Sequence, residues 1–394
     1  MTDFSGQSQT DVRYIGTKSE IFNLGLKTGL LTIVTLGIYR FWAKTRLRRH
    51  IWSSTQVRGE GFEYTGTGME KFLGFLIAIV VLAVYLAVVN LILFALGLEF
   101  VSEPTNQAEM VGQLILIYAN FFALLPLIYF AQYRSMRYKL ARTRFRGIRF
   151  GMESAAGGYV WRALLLSLVT LISLGTLWPL MSFRLDKYMT DRAYYGDGLF
   201  EQAGKWTALY RFMLPFGIGI ALIVLGGIMA NATDGGGMSV LLMIAGGLTF
   251  YFGLIYYQVR TSAYLTSNRV LDGKIGFNSN PSVGSIIGII IGGGLVVGLA
   301  AAVYFGIFAG IFQGIVGPFP GPAMIVFAVV AYLFGLVLLG AISLAMITQP
   351  LLAHVLGATQ VLNIEAADEI RQRAADKGAD AEGFADALDV GSAF

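Results

Sequence analysis

Residues 35–74 read TLGIYRFWAKTRLRRHIWSSTQVRGEGFEYTGTGMEKFLG, and this stretch decides the reading of the whole chain. It opens apolar and then turns basic and aromatic. Between Ile38 and Trp52 it sets Tyr39, Phe41, Trp42, Leu47, Ile51 and Trp52 among Arg40, Lys44, Arg46, Arg48 and Arg49. Aromatic rings mixed with long cations suit a helix lying at the level of lipid headgroups. Thr55 to Tyr64 then alternates around Gly59-Glu60-Gly61, which predicts a β-hairpin.

The same order of residues returns along the chain. The first copy runs Arg46, His50, Thr55, Gly59, Phe62, and the second Arg134, Tyr138, Thr143, Gly147, Phe150. The third runs Arg184, Tyr188, Gly196, Phe200, and the fourth Arg260, Tyr264, Gly273, Phe277. Two partial copies sit near the ends. HVLGATQV at 354–361 echoes HIWSSTQV at 50–57, and Tyr14, Gly16, Glu20, Phe22 match Tyr64, Gly66, Glu70, Phe72. Arg46 and Arg184 lie 138 residues apart, and the apolar run LLTIVTLGIYRFW before the first matches LVTLISLGTLWPL before the second. Repetition at a fixed spacing is the mark of duplicated architecture.

Composition places that architecture in a membrane. Hydrophobic residues make up 56% of the 394 and charged residues 13%, with a mean hydropathy of +0.65. A soluble domain carries about 25% charge. Eight apolar segments stand out: 21–42, 71–98, 111–132, 157–181, 207–230, 238–258, 283–313 and 323–349. No cleavable leader is legible in the polar first twenty residues, so the first apolar segment is expected to be retained.

Charge sorts the connections into two kinds. Residues 40–71 hold seven Lys or Arg against three acids, and residues 134–153 hold seven against one. The connections Glu99–Glu109, Asn231–Met238 and Gly314–Pro322 carry no Lys or Arg. Positive charge collects on the cytoplasmic side of membrane proteins, so the basic connections and the C-terminal tail are expected in the cytoplasm. Segments 21–42 and 157–181 then stand alone between parts on one side. Either they enter and leave on the same face, or the chain makes eight single crossings with a weaker charge bias.

These readings combine into a predominantly α, polytopic membrane helix bundle with internal repeats, and small cytoplasmic β-hairpins forming a sheet. The expected divisions are a polar N-terminal segment at 1–12, repeats at 13–133 and 134–259, a partial repeat at 260–362, and an acidic tail at 363–394.

The stretch 35–74 also resembles the signature of the YjgN family, bacterial inner-membrane proteins with a domain of unknown function. The Thr-Leu-Gly-Ile-Tyr segment, the basic aromatic helix and the Gly-x-x-Phe-x-Tyr-x-Gly hairpin are all present, and the resemblance covers most of residues 13–362. It implies an inner-membrane location and no established activity.

Chemistry is sparse. The chain has no cysteine, which removes disulfides and thiolate metal sites, and only two histidines, His50 and His354. There is no phosphate-binding Gly-Lys loop and no His-Glu-x-x-His motif, so no cofactor, no metal and no catalytic group are expected. The chain is read as a non-enzyme. Gly284, Gly288, Gly292 and Gly306, Gly310, Gly314 fall at four-residue spacing, which suits close helix packing within the bundle or between subunits of a homo-oligomer. Polar residues inside apolar segments include Lys27, Asn90 and Asn120, where a buried polar group is costly and often functional.

The repeated Arg46, Arg134, Arg184 and Arg260 are the leading candidates for contact with an anionic lipid or solute. Membrane lipids with anionic headgroups are the expected partners, and nucleic acid is not. The function expected is a non-enzymatic scaffold or lipid-organising protein. The alternative is a transporter or channel for a lipid or amphipathic solute, since duplicated units are common in transporters.

Overall fold

The computed structural model describes residues 8–98, 106–232, 236–316 and 321–373. The three uncharged or acidic connections fall wholly or partly outside these residues, as does most of the acidic tail. The described chain forms two compact units, one of residues up to Tyr64 with Phe200–Ile370, the other of Thr65–Leu199 with the chain from Arg371.

Eleven helices are described. They are α1 (Lys18–Val34), α2 (Arg40–Ser54), α3 (Gly68–Ala95), α4 (Gln107–Ala141), α5 (Ala156–Ile172), α6 (Trp178–Thr190), α7 (Tyr210–Ala232), α8 (Gly237–Ser267), α9 (Val283–Val316), α10 (Pro322–Ser343) and α11 (Gln349–Gly357). The strands are β1 (Gln9–Tyr14), β2 (Thr55–Val57), β3 (Glu60–Gly61), β4 (Glu63–Tyr64), β5 (Thr143–Phe145), β6 (Ile148–Met152), β7 (Ala193–Tyr195), β8 (Gly198–Gln202), β9 (Arg269–Leu271), β10 (Ile275–Ser279) and β11 (Thr359–Leu362).

Six helical stretches are long and apolar enough to cross a membrane: Gly68–Ala95, Gln107–Ala141, Trp206–Ala232, Gly237–Ser267, Val283–Gln313 and Pro322–Gly357. Their outward faces carry Val80, Leu91, Ile228, Leu295 and Val326, each more than 60% exposed. Apolar surface of this extent requires a lipid solvent. The polytopic helical expectation therefore holds. Polar side chains cap several of the helices. The Thr17 hydroxyl accepts from the Glu20 amide while the Glu20 carboxylate accepts from the Thr17 amide, and at the starts of α3 and α4 the Thr67 and Asn106 side chains accept from the Glu70 and Glu109 amides.

The two solitary apolar segments are not among the six. Each is a helical hairpin. After α1 the chain turns through Leu36 (φ 50°) and Gly37 (φ 92°) into α2, and after α5 through Leu174 (φ 51°) and Gly175 (φ 83°) into α6. At 17 residues each, α1 and α5 are about 25 Å long and double back. β1 pairs with β2, and β6 with β7, so each hairpin returns to the strand beside the one it left. Eight single crossings do not describe this chain.

The expected small sheet of β-hairpins needs correcting in extent. In the first unit the strands run β3-β2-β1-β11-β10-β9-β8, and in the second β8-β7-β6-β5, with β8 straddling the boundary in sequence; every pair of defined register is antiparallel. The hairpins pair with their neighbours as well as within themselves. The first turn also shifts: it falls on Arg58 (φ 55°) and Gly59 (φ 82°), not on Gly-Glu-Gly. Arg146-Gly147 repeats that pair of positive φ values, the signature of a two-residue hairpin turn, and Asp272-Gly273 carries the same pair in a three-residue connection, where Leu271 faces Ile275. The partial copies at 354–361 and near Tyr14 supply β11 and β1, which pair with each other as one hairpin split between distant parts of the chain.

In the first unit, α7 and α8 pack along Gly219, Gly226, Gly246 and Gly253. A Cβ added at Gly246 would lie 2.8 Å from the Ile223 nitrogen, and one at Gly226 2.9 Å from the Ser239 carbonyl oxygen. The glycines at four-residue spacing in α9 behave differently. A Cβ at Gly288, Gly292, Gly306 or Gly310 would meet nothing within 4 Å, so they are not the close-packed seam expected within the bundle. Beside β11, residues 364–370 are held by Lys274, whose ammonium lies 2.7 Å from Glu369. The hydrogen bond and charge of Lys274 lower the carboxyl of Glu369 below its ordinary range.

Candidate functional site: a cation-rimmed cleft on a helical hairpin

In the second unit, the α5–α6 hairpin lines an open cleft of about 550 Å³. Its rim is cationic, formed by Arg162, Arg184, Lys187 and Arg192, with Asp191 the one carboxylate among the lining residues. Its wall is apolar, formed by Leu165, Leu166 and Leu180. Lys187 pairs with Asp191 at 3.0 Å, one helical turn away, which leaves three guanidinium groups in excess of the acid.

Tyr188 organises this rim. It is 8% exposed and belongs to a core cluster with Tyr133, Met152, Tyr159, Ala163 and Leu185. Its hydroxyl donates to the Ala155 carbonyl at 3.0 Å, which fixes the ring. The guanidinium of Arg192 lies 3.6 Å from the ring centroid and that of Arg162 lies 4.8 Å away. Cation–π attraction of about 0.5–2 kcal/mol per pair holds the two arginines close in spite of their like charge. Tyr133 donates to the Glu153 carbonyl at 2.8 Å, and Ser167 of α5 shares a hydrogen bond of 2.5 Å with Tyr129 of α4, which seat the hairpin on α4.

The arrangement brings fixed positive charge against an apolar wall at one end of an apolar helix pair. Such a groove suits an anion carrying a hydrocarbon body, with arginines able to bind phosphate oxygens bidentately.

Of the arginines singled out by the repeat, Arg184 lies on this rim. Arg46 is exposed on α2, with its guanidinium 5.5 Å from the Tyr39 ring. Arg260 donates to the Asn280 side chain at 2.8 Å, and Arg134 stacks over Phe130 at 5.7 Å, so both are half-buried and engaged within the chain. Asn90 and Asn120 bond each other reciprocally, at 3.0 and 3.2 Å, across α3 and α4. They satisfy one another. Lys27 is exposed on α1. Sequence reasoning missed Arg162 and Arg192. The signal lay in their spacing from Tyr188: Arg192 follows it by one helical turn, and Arg162 is brought to it by the hairpin.

Other charged groups serve the fold. Glu70 accepts from the Tyr138 hydroxyl at 2.9 Å and from Arg142 at 3.1 and 3.3 Å, joining the start of α3 to the end of α4. Arg137 is 3% exposed and donates to the Met152 carbonyl at 3.2 Å.

Comparison with known proteins adds a family and no activity. A family model described as "Bacterial protein of unknown function (DUF898)" matches residues 9–387. The chain is 28% identical over 163 residues to the protein named Inner membrane protein YjgN of Escherichia coli strain K12. It is 24% identical over 161 residues to the protein of the same name from Salmonella typhimurium. Each alignment takes in 41% of this chain, and 35% and 36% of those relatives respectively, so the matched stretch spans about a third of their length. No solved structure matches.

Proposed function

Because the chain belongs to the bacterial DUF898 family, whose description assigns no activity, we propose a function from the cleft: a non-enzymatic inner-membrane protein that binds and organises anionic phospholipid. The observation that carries this reading is the α5–α6 cleft, with Arg162, Arg184 and Arg192 above a leucine wall. A phosphodiester headgroup would sit among the guanidinium groups, and an acyl chain would lie along Leu165, Leu166 and Leu180.

The test is lipid retention by the purified full chain in detergent, read by native mass spectrometry with phosphatidylglycerol and phosphatidylcholine supplied together. The native chain is expected to retain phosphatidylglycerol selectively. Each surface cation contributes about 1 kcal/mol of attraction to anionic lipid, so Arg162→Gln with Arg184→Gln is expected to weaken retention roughly 30-fold. Unchanged selectivity in a folded double variant would refute the reading.

The orientation follows from charge. With the basic connections in the cytoplasm, Glu60 in β3 faces that side. A cysteine at Glu60, in a chain that has no other, is expected to resist an impermeant thiol reagent in intact cells and to react after lysis. Labelling in intact cells would place the strands in the periplasm.

A further inference from the structure

The two helical hairpins are the same object built twice. Their strand registers coincide at an offset of 138 residues: Val12 faces Val57 as Phe150 faces Tyr195, and Tyr14 faces Thr55 as Met152 faces Ala193. Their turns coincide too. Gly37 N–H donates to the Thr32 carbonyl at 2.7 Å, and Gly175 N–H donates to the Thr170 carbonyl at 2.8 Å. Leu36 and Leu174 each close a bond of 3.0 Å to the residue three before. Phe41 and Thr45 are buried, as are their counterparts Pro179 and Phe183, while Arg46 and Arg184 are both exposed.

With the backbones matched, the lining of the α5–α6 cleft can be carried position by position onto α1–α2. Arg184 falls on Arg46 and Lys187 on Arg49, so two cations are kept. Arg162 falls on Leu24 and Arg192 on Ser54, so two are lost. Leu165 falls on Lys27, which gains one, and Asp191 falls on Ser53, which removes the acid. Tyr188 falls on His50, whose Nε2 lies 4.0 Å from the Glu20 carboxylate. Leu166 falls on Thr28 and Leu180 on Trp42, so among the matched lining positions the first hairpin has three cations, one large apolar ring in the place of the leucine wall, and no acid in the place of Asp191.

The positions also differ in depth. Lys27 stands three residues nearer the turn than the place of Arg162, about 4.5 Å farther from the strands. Arg46 leans the same way, with its guanidinium over Tyr39 at the turn end of α2.

We infer that the α1–α2 hairpin carries a second anionic-phospholipid site, in which Lys27, Arg46 and Arg49 take the phosphodiester one helical turn closer to the hairpin tip than in the α5–α6 cleft. This inference takes its ligand class from the reading of that cleft, and its residues from the matched backbones. Lys27 then has a role that its exposure alone does not supply.

The experiment is phosphatidylglycerol titration of the purified full chain in detergent, counted by native mass spectrometry, with phosphatidylcholine and inorganic phosphate as separate arms. The native chain is expected to hold two phosphatidylglycerol molecules more tightly than the rest. Lys27→Leu places at this hairpin the residue its counterpart already carries, so the fold tolerates it. It is expected to weaken one of the two about fivefold and to leave the other unchanged. Leu165→Lys is expected to tighten the α5–α6 cleft by a similar factor.

A native chain that holds one lipid, lost entirely with Arg162→Gln and Arg184→Gln, would overturn the second site and leave the first standing. Loss through Lys27→Leu with no effect of the Arg162 and Arg184 changes would overturn the first and leave the second. Displacement of the lipid by millimolar inorganic phosphate would overturn the need for an amphiphile.

Discussion

Gly219→Ala is expected to destabilise the protein by about 2 kcal/mol, and Gly219→Leu by about 3 kcal/mol or more, from a change of one small side chain. A Cβ at Gly219 collides with the backbone nitrogen of Phe250, and one at Gly253 with the backbone nitrogen of Phe216. A backbone atom cannot rotate away as a side-chain tip can. The two helices must separate, and the dispersion contacts along the whole seam weaken with them. In lipid no hydrophobic driving force between helices makes up the loss. Thermal unfolding in detergent checks this, with an expected fall in midpoint of about 5 °C for the leucine variant. Gly227→Ala on the same helix is the control, since a Cβ there meets nothing within 4 Å. Helix propensity alone would favour alanine at both positions, so equal losses at Gly219 and Gly227 would show that close approach does not set the outcome.

The second large effect is expected at Glu70. Its carboxylate holds Tyr138 and both nitrogens of the Arg142 fork, and the Arg142 carbonyl in turn accepts from the Thr65 N–H at 2.8 Å. Tyr138 is fully buried and the Arg142 side chain is 18% exposed, so neither is solvated freely once the carboxylate is gone. Breaking a buried pair from one side costs about 3–5 kcal/mol, and the partial exposure of Glu70 reduces that to about 2 kcal/mol for Glu70→Ala. A double-mutant cycle with Arg142→Gln is expected to give a coupling above about 1 kcal/mol. Additive losses would mean that the ion pair contributes nothing of its own.

What could be read in the sequence followed the strength of local signals. The six long apolar helices were legible because a lipid-crossing helix needs a long uninterrupted run of apolar residues. The repeat was legible because Arg46, Arg134, Arg184 and Arg260 stand in a fixed order with their aromatic partners. The turns within 21–42 and 157–181 were marked by Gly37 and Gly175, though periodicity does not tell a hairpin from a broken crossing. The strand order within each unit was not legible, because strands of two to six residues carry little pattern and their pairing is decided by contacts distant in sequence. The cleft was half legible. Arg184 came from the repeat, whereas Arg162 breaks the repeat, falling where the first copy has Leu24, and so looked like one cation in an apolar run.

The split hairpin of β1 and β11 has a consequence for how the protein is made. Gln360 bonds Asp11, 349 positions earlier in the chain, at 3.0 Å. β1 leaves the ribosome long before the strand that completes its second edge. It can join β2 early, after one short helical excursion, but the far side of β1 stays an open edge while the intervening membrane helices are inserted. An exposed edge invites pairing with the wrong chain. The closure penalty for so long a loop grows only logarithmically, so the delay rather than the entropy is the hazard. The second edge of β1 is thus sealed late, and a chain stalled before Thr359 is expected to leave β1 without that neighbour.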